Sequence, residues 1–169
     1  MYTGFIYYNS PIGIIQIKIN KENIEELIFI NSGNEKKSYE NETDFQHKSP
    51  LIVNCLQQLE EYFTGSRKVF ELPVTQPGTS FQQKVWNELL HIPYGKTTSY
   101  LLLSKSLGDV KATRAVGSAN GKNKICIIVP CHRVIGSNGD LIGYGGELWR
   151  KKWLLEHEAK HQYGLQKLF

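Results

Sequence analysis

The chain predicts an α/β fold in two parts, a β-meander with one helix followed by a set of short helices that include a helix-turn-helix. Three observations carry that expectation. The first thirty residues hold three runs rich in Ile, Tyr and Phe, separated by turn-forming clusters. A stretch with two prolines and a glycine, Leu72–Thr79, then breaks the pattern, so residues 1–75 and 76–169 are expected to form separate domains. After it come short apolar-periodic segments, the first two opened by capping residues.

In order, strands are expected at Gly4–Tyr8, Gly13–Ile19 and Ile24–Ile30, with turns at Asn9-Ser10-Pro11 and Asn20-Lys21-Glu22-Asn23. Residues 31–49 are polar without periodicity and read as a loop. Leu51–Phe63 places Ile52, Leu56, Leu59 and Phe63 at helical spacing, with Thr64-Gly65 as the stop. Ser80-Phe81-Gln82-Gln83 fits a capping box, and the helix behind it should bury Phe81, Val85, Trp86, Leu89 and Leu90. Thr97-Thr98-Ser99 caps a helix over Tyr100–Leu107 that Gly108 ends, and a further short helix runs from about Lys111 to Ala119. That pair, joined by a tight Gly-Asp turn, fits the helix-turn-helix. Ile125–Val129 reads as a short buried strand, Ser137–Asp140 as a turn, and Glu147–Ala159 as a closing amphipathic helix with Trp149, Trp153 and Leu154.

Bulk properties narrow the function. No apolar run approaches the roughly 20 residues of a membrane helix, and the amino terminus lacks the features of a signal peptide, so a cytoplasmic setting without membrane contact is expected. Cys55, Cys126 and Cys131 are too few and too unevenly spaced for a disulfide framework or a zinc site, and read as free thiols. The net charge of +4 is unevenly spread: residues 1–75 carry 7 basic and 10 acidic side chains, residues 76–169 carry 13 and 6. A polyanion bound by the carboxy-terminal part accounts for this, and so does an ordinary solvated surface.

The chemistry concentrates at Ile127–Val134. A cysteine after a buried strand and Pro130 should sit at the strand's mouth, with His132 and Arg133 beside it. Thiolate is the nucleophilic form, and a neighbouring imidazole or cation promotes it. Side chains adjacent on an extended chain face opposite ways, so His132 should reach Cys131 only through a bend or a bridging water. Taken alone, a Cys-His pair favours the other reading, a buried inert thiol.

Pro130-Cys131-His132-Arg133-Val134, however, resembles the active-site motif of the O6-alkylguanine-DNA alkyltransferases. The resemblance extends in order through Phe81, Gln82, Val85 and Trp86; Ile92-Pro93-Tyr94-Gly95-Lys96-Thr97; Ser99-Tyr100; Arg114-Ala115-Val116-Gly117; Asn120; Asn123; Gly136 and Gly139; Tyr144-Gly145-Gly146; and Trp153-Leu154-Leu155 with His157-Glu158. Residues 1–75 match more loosely, through Pro11, Gly13, Tyr62-Phe63 and Gly65. The resemblance implies a small ribonuclease-H-like β-meander domain and a winged-helix-like domain around the helix-turn-helix. It implies DNA repair by irreversible transfer of an alkyl group from O6-alkylguanine, and from O4-alkylthymine, to Cys131.

Roles follow by the same resemblance. His132 is the base, acting through a water, Glu158 orients it, and Asn123 steadies the turn carrying the cysteine. Tyr100 donates to guanine N3, the carbonyls of Cys131 and Val134 accept from the guanine amine, the Gly145 amide faces O6, and Tyr144 walls the pocket. Ser137 belongs to the DNA-contacting set, and Arg114 enters the stack where the flipped nucleotide was. Small residues around Arg114 suit close approach to the minor groove of double-stranded DNA. A thioether has no good leaving group, so each molecule acts once, as a monomer, with no cofactor or metal implied.

Departures are local. Lys124 and Cys126 stand where many members are proline-rich, and Gly145 where some have serine. No amino-terminal cysteine cluster of the adaptive regulators is present, which points to the stand-alone repair form. The alternatives are a lesion-binding alkyltransferase-like protein, in which the acceptor cysteine is replaced, and a papain-like hydrolase, which needs a histidine distant in sequence.

Overall fold

The computed structural model describes residues 4–31 and 49–164, so the loop expected over residues 31–49 lies almost wholly outside the described residues. The chain divides into two compact units, Met1–Gln76 and Pro77–Phe169.

In the first unit, β1 (Gly4–Ser10), β2 (Gly13–Ile19) and β3 (Ile24–Phe29) form an antiparallel sheet in the order β1-β2-β3. Ser10 pairs with Gly13, so the hairpin loop is Pro11-Ile12 alone and Asn9 and Ser10 belong to the strand instead of the expected turn. Gly13, at φ 110°, supplies the left-handed backbone that so short a loop needs. Ile15, Ile17 and Ile19 alternate onto one face and are fully buried with Ile6, Ile24 and Leu27. The Pro73 carbonyl and the Thr75 amide bond to Ile24, so residues after the helix run beside β3.

Helix α1 (Pro50–Phe63) opens on a proline whose missing N–H costs nothing there. Its buried face is rotated from the expected one: Leu56 is half-buried, while Cys55, Gln58 and Tyr62 join Ile52, Leu59 and Phe63. Gln58 is admitted because its amide bonds both the Glu71 amide and the Glu71 carbonyl.

The second unit is helical. Helix α2 (Ser80–Leu89) is capped by Thr79, one residue earlier than expected: the Thr79 hydroxyl accepts from the Gln82 amide at 3.2 Å and the Gln82 side chain accepts from the Thr79 amide at 2.9 Å. The helix buries Val85, Trp86 and Leu89 but leaves Phe81 and Leu90 exposed, correcting two expected core positions. Ser99 caps α3 (Tyr100–Ser106), and after a 3₁₀ turn at Val110–Ala112 comes α4 (Thr113–Gly121). Helices α3 and α4 pack together as the helix-turn-helix, and α2 packs on α4. Two-residue strands β4 (Thr98–Ser99) and β5 (Val134–Ile135) pair in parallel, and α5 (Leu148–Tyr163) closes the unit.

Residues Ile125–Val129 do not form the expected strand. They are buried, but they turn: Val129 donates to the Ile125 carbonyl, Ile128 to that of Cys126, and Ile127 adopts φ 71°. The physical reason is Asn123, whose side chain accepts from the Ile125 amide at 3.0 Å and donates to the Val129 carbonyl at 2.8 Å. It replaces the partners a sheet would have supplied.

Trp86 ties α2 to α4 through Nε1–H donated to the Ala119 carbonyl at 2.9 Å, and its ring lies against Gly78. A Cβ at Gly78 would meet ring carbons at 2.5 Å. Gly78→Ala is therefore expected to destabilise the protein by about 1–3 kcal/mol, read as a lower urea midpoint followed by tryptophan fluorescence. An unchanged midpoint would show that the ring can move aside.

Candidate active site

Residue Pro130 leads straight into a 3₁₀ turn, Cys131–Arg133, in which all three side chains are buried. Cys131 was expected at the mouth of a strand. It is instead only 4% exposed, because the turn tucks it beneath the surface. The same turn carries Cys131, His132 and Arg133 in succession, all three buried.

Glu158, on α5, sits at the centre. Its carboxylate accepts from His132 Nε2 at 2.8 Å, from Arg133 Nε at 2.9 Å and Arg133 Nη2 at 3.0 Å, and from the Gly95 amide at 3.0 Å. Arg133 also donates to the Ile92 carbonyl at 2.6 Å and lies over the Tyr94 ring. Arg133 thus neutralises Glu158 and does not serve the cysteine directly, as its neighbouring position suggested. Burial alone would push the Glu158 carboxyl up, but the charges and hydrogen bonds of His132 and Arg133 outweigh it and hold the carboxyl well below the usual range. Burial pushes His132 down, partly opposed by Glu158, so the imidazole is neutral at pH 7. An ionised carboxylate only accepts, so Nε2 carries the proton and Nδ1, buried and bonded to no group among the described residues, keeps the basic lone pair.

Cys131 is held from several sides. Its amide donates to the Val129 carbonyl at 2.8 Å. Its thiol pKa is lowered, first by a hydrogen bond from Cys126 and further by Asn123 and the Lys151 charge, against the opposing effect of burial. Asn120 was quoted only as part of a motif; its side-chain amide reaches the Cys131 carbonyl at 3.4 Å. Lys151 was missed altogether. It is fully buried on α5, its Nζ donates to the Ile142 carbonyl at 2.7 Å and to Gly143 at 3.3 Å, and burial lowers its pKa to about 8. The Tyr100 hydroxyl donates to the same Ile142 carbonyl at 3.0 Å. A shared acceptor therefore joins α3, α5 and the segment before Tyr144. In sequence, Lys151 is one of two adjacent lysines in a charged stretch, and nothing local distinguishes it from Lys152, which is exposed.

Of the other expected residues, Val134 is buried in β5, and Tyr144 is half-buried. Three stand apart. Arg114 is exposed on α4 with no hydrogen bond or ion pair among the described residues, Ser137 is exposed in the turn after β5, and Gly145 is open, with nothing near where a Cβ would be. Cys126, in the turn around Asn123 and Ile127, is a second buried free thiol.

A helix-turn-helix unit that buries a thiol with a depressed pKa beside a His-Glu pair defines a nucleophile-bearing protein built to meet a polyanion. Comparison with known proteins names the family. Residues 80–160 match the DNA binding domain of 6-O-methylguanine DNA methyltransferase, and residues 4–76 match its ribonuclease-like domain. The chain is 42% identical over 155 residues to the methylated-DNA–protein-cysteine methyltransferase of Methanosarcina acetivorans, covering 92% of this chain and 97% of that one. It is 44% identical over 144 residues to the constitutive enzyme of that name from Bacillus subtilis, covering 83% and 87%. The structure superposes on that of Mycobacterium tuberculosis OGT in complex with DNA with a TM-score of 0.81 at 38% identity, covering 94% of each chain. The chain belongs to the 6-O-methylguanine DNA methyltransferase family.

Because the folded pKa of Glu158 lies below the unfolded one, its contribution to stability is complete above the ordinary value of 4.5 and is lost as pH falls below it. Glu158→Gln leaves the buried Arg133 charge unneutralised and is expected to cost about 3 kcal/mol at neutral pH. It should also flatten the loss of stability between about pH 4.5 and pH 3, measured as urea midpoints. Parallel pH curves for the variant and the native protein would contradict the assigned charge state.

Proposed function

We propose that this protein repairs DNA directly, moving an alkyl group from O6 of a damaged guanine, and from O4-alkylthymine, to the sulfur of Cys131. The observation that carries the reading is the buried Cys131–His132–Glu158 arrangement on the helix-turn-helix unit. Neutral His132 takes the Cys131 proton through a water at Nδ1, and the Glu158 carboxylate stabilises the resulting imidazolium. The thiolate attacks the alkyl carbon, an S–C bond forms as the C–O6 bond breaks, and Tyr100 donates toward guanine N3 so that the base leaves neutral. The carbonyls of Cys131 and Val134 and the Gly145 amide read the base edge, and Tyr144 walls it. The product thioether is not cleaved by thiol exchange, so one molecule repairs one lesion.

Burial of Cys131 bears on how the lesion arrives. The sulfur of a residue only 4% exposed cannot reach an alkyl carbon inside a stacked duplex, so the nucleotide must rotate out at a cost of a few kcal/mol. Helix α4 has small residues at Ala115, Gly117, Ser118 and Ala119, which lets it lie close in a minor groove. From it the unpaired guanidinium of Arg114 fills the vacated stack, with Ser137 contacting the backbone. The thiolate chemistry needs reduced cysteines, which suits a cytoplasmic setting, and the chain acts as a monomer. Among the described residues no helix is long and apolar enough to cross a membrane.

Incubation with an O6-methylguanine oligonucleotide should add the mass of one methyl group to the intact protein, mapped to Cys131. Cys131→Ser should show no transfer while its affinity for DNA stays within about threefold of native. Methyl uptake by that variant would remove the assignment. Arg114→Ala should slow repair of duplex O6-methylguanine on the order of a hundredfold, since about 3 kcal/mol of the flipped state is lost. Its reaction with free O6-benzylguanine should be nearly unchanged. Equal proportional losses on duplex and single-stranded substrates would reduce Arg114 to a phosphate contact.

A further inference from the structure

We propose that Glu147 is a positioning residue for the transfer, clamped by the buried Arg150 so that the glycine-rich turn before it keeps one shape. This deepens the function proposed above and rests on its reading that the turn meets the base. Three of the five residues from Ile142 to Gly146 are glycine, so the segment has little stiffness of its own. Its order comes from helix α5, where two adjacent cations clip its two ends. Lys151 Nζ donates to the Ile142 carbonyl at 2.7 Å and to that of Gly143 at 3.3 Å. Arg150, fully buried, donates from Nη1 to the Gly146 carbonyl at 3.4 Å. Tyr144 and Gly145, the residues proposed to wall the base and to face O6, lie between the clips.

The strain lies at the next residue. Glu147, at φ 72° and ψ 141°, occupies backbone space that glycine enters freely and a residue with a Cβ does not. A helix N-cap ordinarily has extended backbone and turns a side-chain oxygen onto the helix's own first amides. Glu147 does neither. Its carboxylate accepts instead from Arg150 Nη1 at 2.8 Å and from Trp149 Nε1 at 3.2 Å. Its amide donates to the Tyr144 carbonyl at 3.1 Å and closes the turn. Arg150 lies over the Trp149 ring, which fixes the guanidinium in its place. An unfavourable backbone conformation persists only where its surroundings over-determine it, and here the ion pair does so. Glu147→Ala loses the clamp and keeps the Cβ, so the backbone relaxes toward negative φ and swings the Gly145 amide off its line. Glu147→Gly holds the same φ with no clamp, because no Cβ opposes it.

The test compares native protein with Glu147→Ala, Glu147→Gln and Glu147→Gly. Three quantities are measured: the melting temperature, the saturating rate of single-turnover methyl transfer from an O6-methylguanine oligonucleotide, and the rate of Cys131 alkylation by iodoacetamide. Glu147→Ala should transfer roughly tenfold more slowly than native protein. Its iodoacetamide rate should stay within about twofold of native, because that small reagent makes no use of the turn. Glu147→Gly should recover transfer to within about threefold of native and melt about 3–6 °C above Glu147→Ala. Glu147→Gln, whose amide oxygen still accepts from Arg150, should also transfer within about threefold of native. Equal transfer rates for Glu147→Ala and Glu147→Gly would overturn the proposal, since a role of the carboxylate itself is not rescued by glycine. Parallel losses of methyl transfer and iodoacetamide reactivity would overturn it as well, because a general packing defect moves both. Should Glu147→Ala not fold, Glu147→Gly decides alone: transfer close to native upholds the proposal and slow transfer ends it. Absence of methyl uptake by the native protein would remove the repair reading and the role in transfer with it, while the melting order of the two variants reports separately on the strain at Glu147.

Discussion

The Glu158 carboxylate binds the second unit together. It comes from the closing helix α5, takes the imidazole of His132 and the guanidinium of Arg133 from the cysteine turn, and accepts the Gly95 amide from the loop ahead of β4. Three segments separated by tens of residues are thus fixed by one buried anion. An unpaired charge at that depth would be intolerable, so the arrangement holds only when all its members are present. That cooperativity gives the site its rigidity: Glu158 decides which His132 nitrogen holds the proton, and Arg133 keeps Glu158 ionised so that it can decide.

A second set of constraints shapes the nucleophile. The Asn123 side chain substitutes for sheet hydrogen bonds and turns residues 125–129 into a tight buried loop that delivers Cys131 into a 3₁₀ turn. Asn120 reaches the same cysteine's carbonyl from α4. The helix carrying Arg114 is therefore bonded to Cys131, which links the proposed DNA-facing surface to the proposed acceptor. Lys151, buried and bonded to the Ile142 carbonyl it shares with Tyr100, secures the far wall in the same way.

What was legible beforehand depended on the range of the interaction. The strand runs of the meander and the capped helix α3 were readable because period, cap and turn chemistry are local properties. The shift of the α2 cap from Ser80 to Thr79 shows how little separates two good capping residues. The exposure of Phe81 and Leu90 shows that an apolar side chain at the right period need not find a partner. The misreading of Ile125–Val129 was of another kind. A run of Ile and Val has strand propensity, and only the side chain of Asn123, bonded across six residues, overrides it.

By itself the sequence determined the identities and order of the groups proposed for the site: a cysteine followed by histidine and arginine, a distant glutamate, a tyrosine at a helix start, an arginine among small residues. Motif order was enough to mark the family, because those residues occur at spacings set by the chain. The tertiary structure decided the charges. Whether Arg133 faces Cys131 or Glu158 and whether Lys151 or Lys152 is buried are questions of burial and distance between segments remote in sequence. Electrostatic energy depends on separation and on exclusion of water, and neither quantity is written in the order of residues.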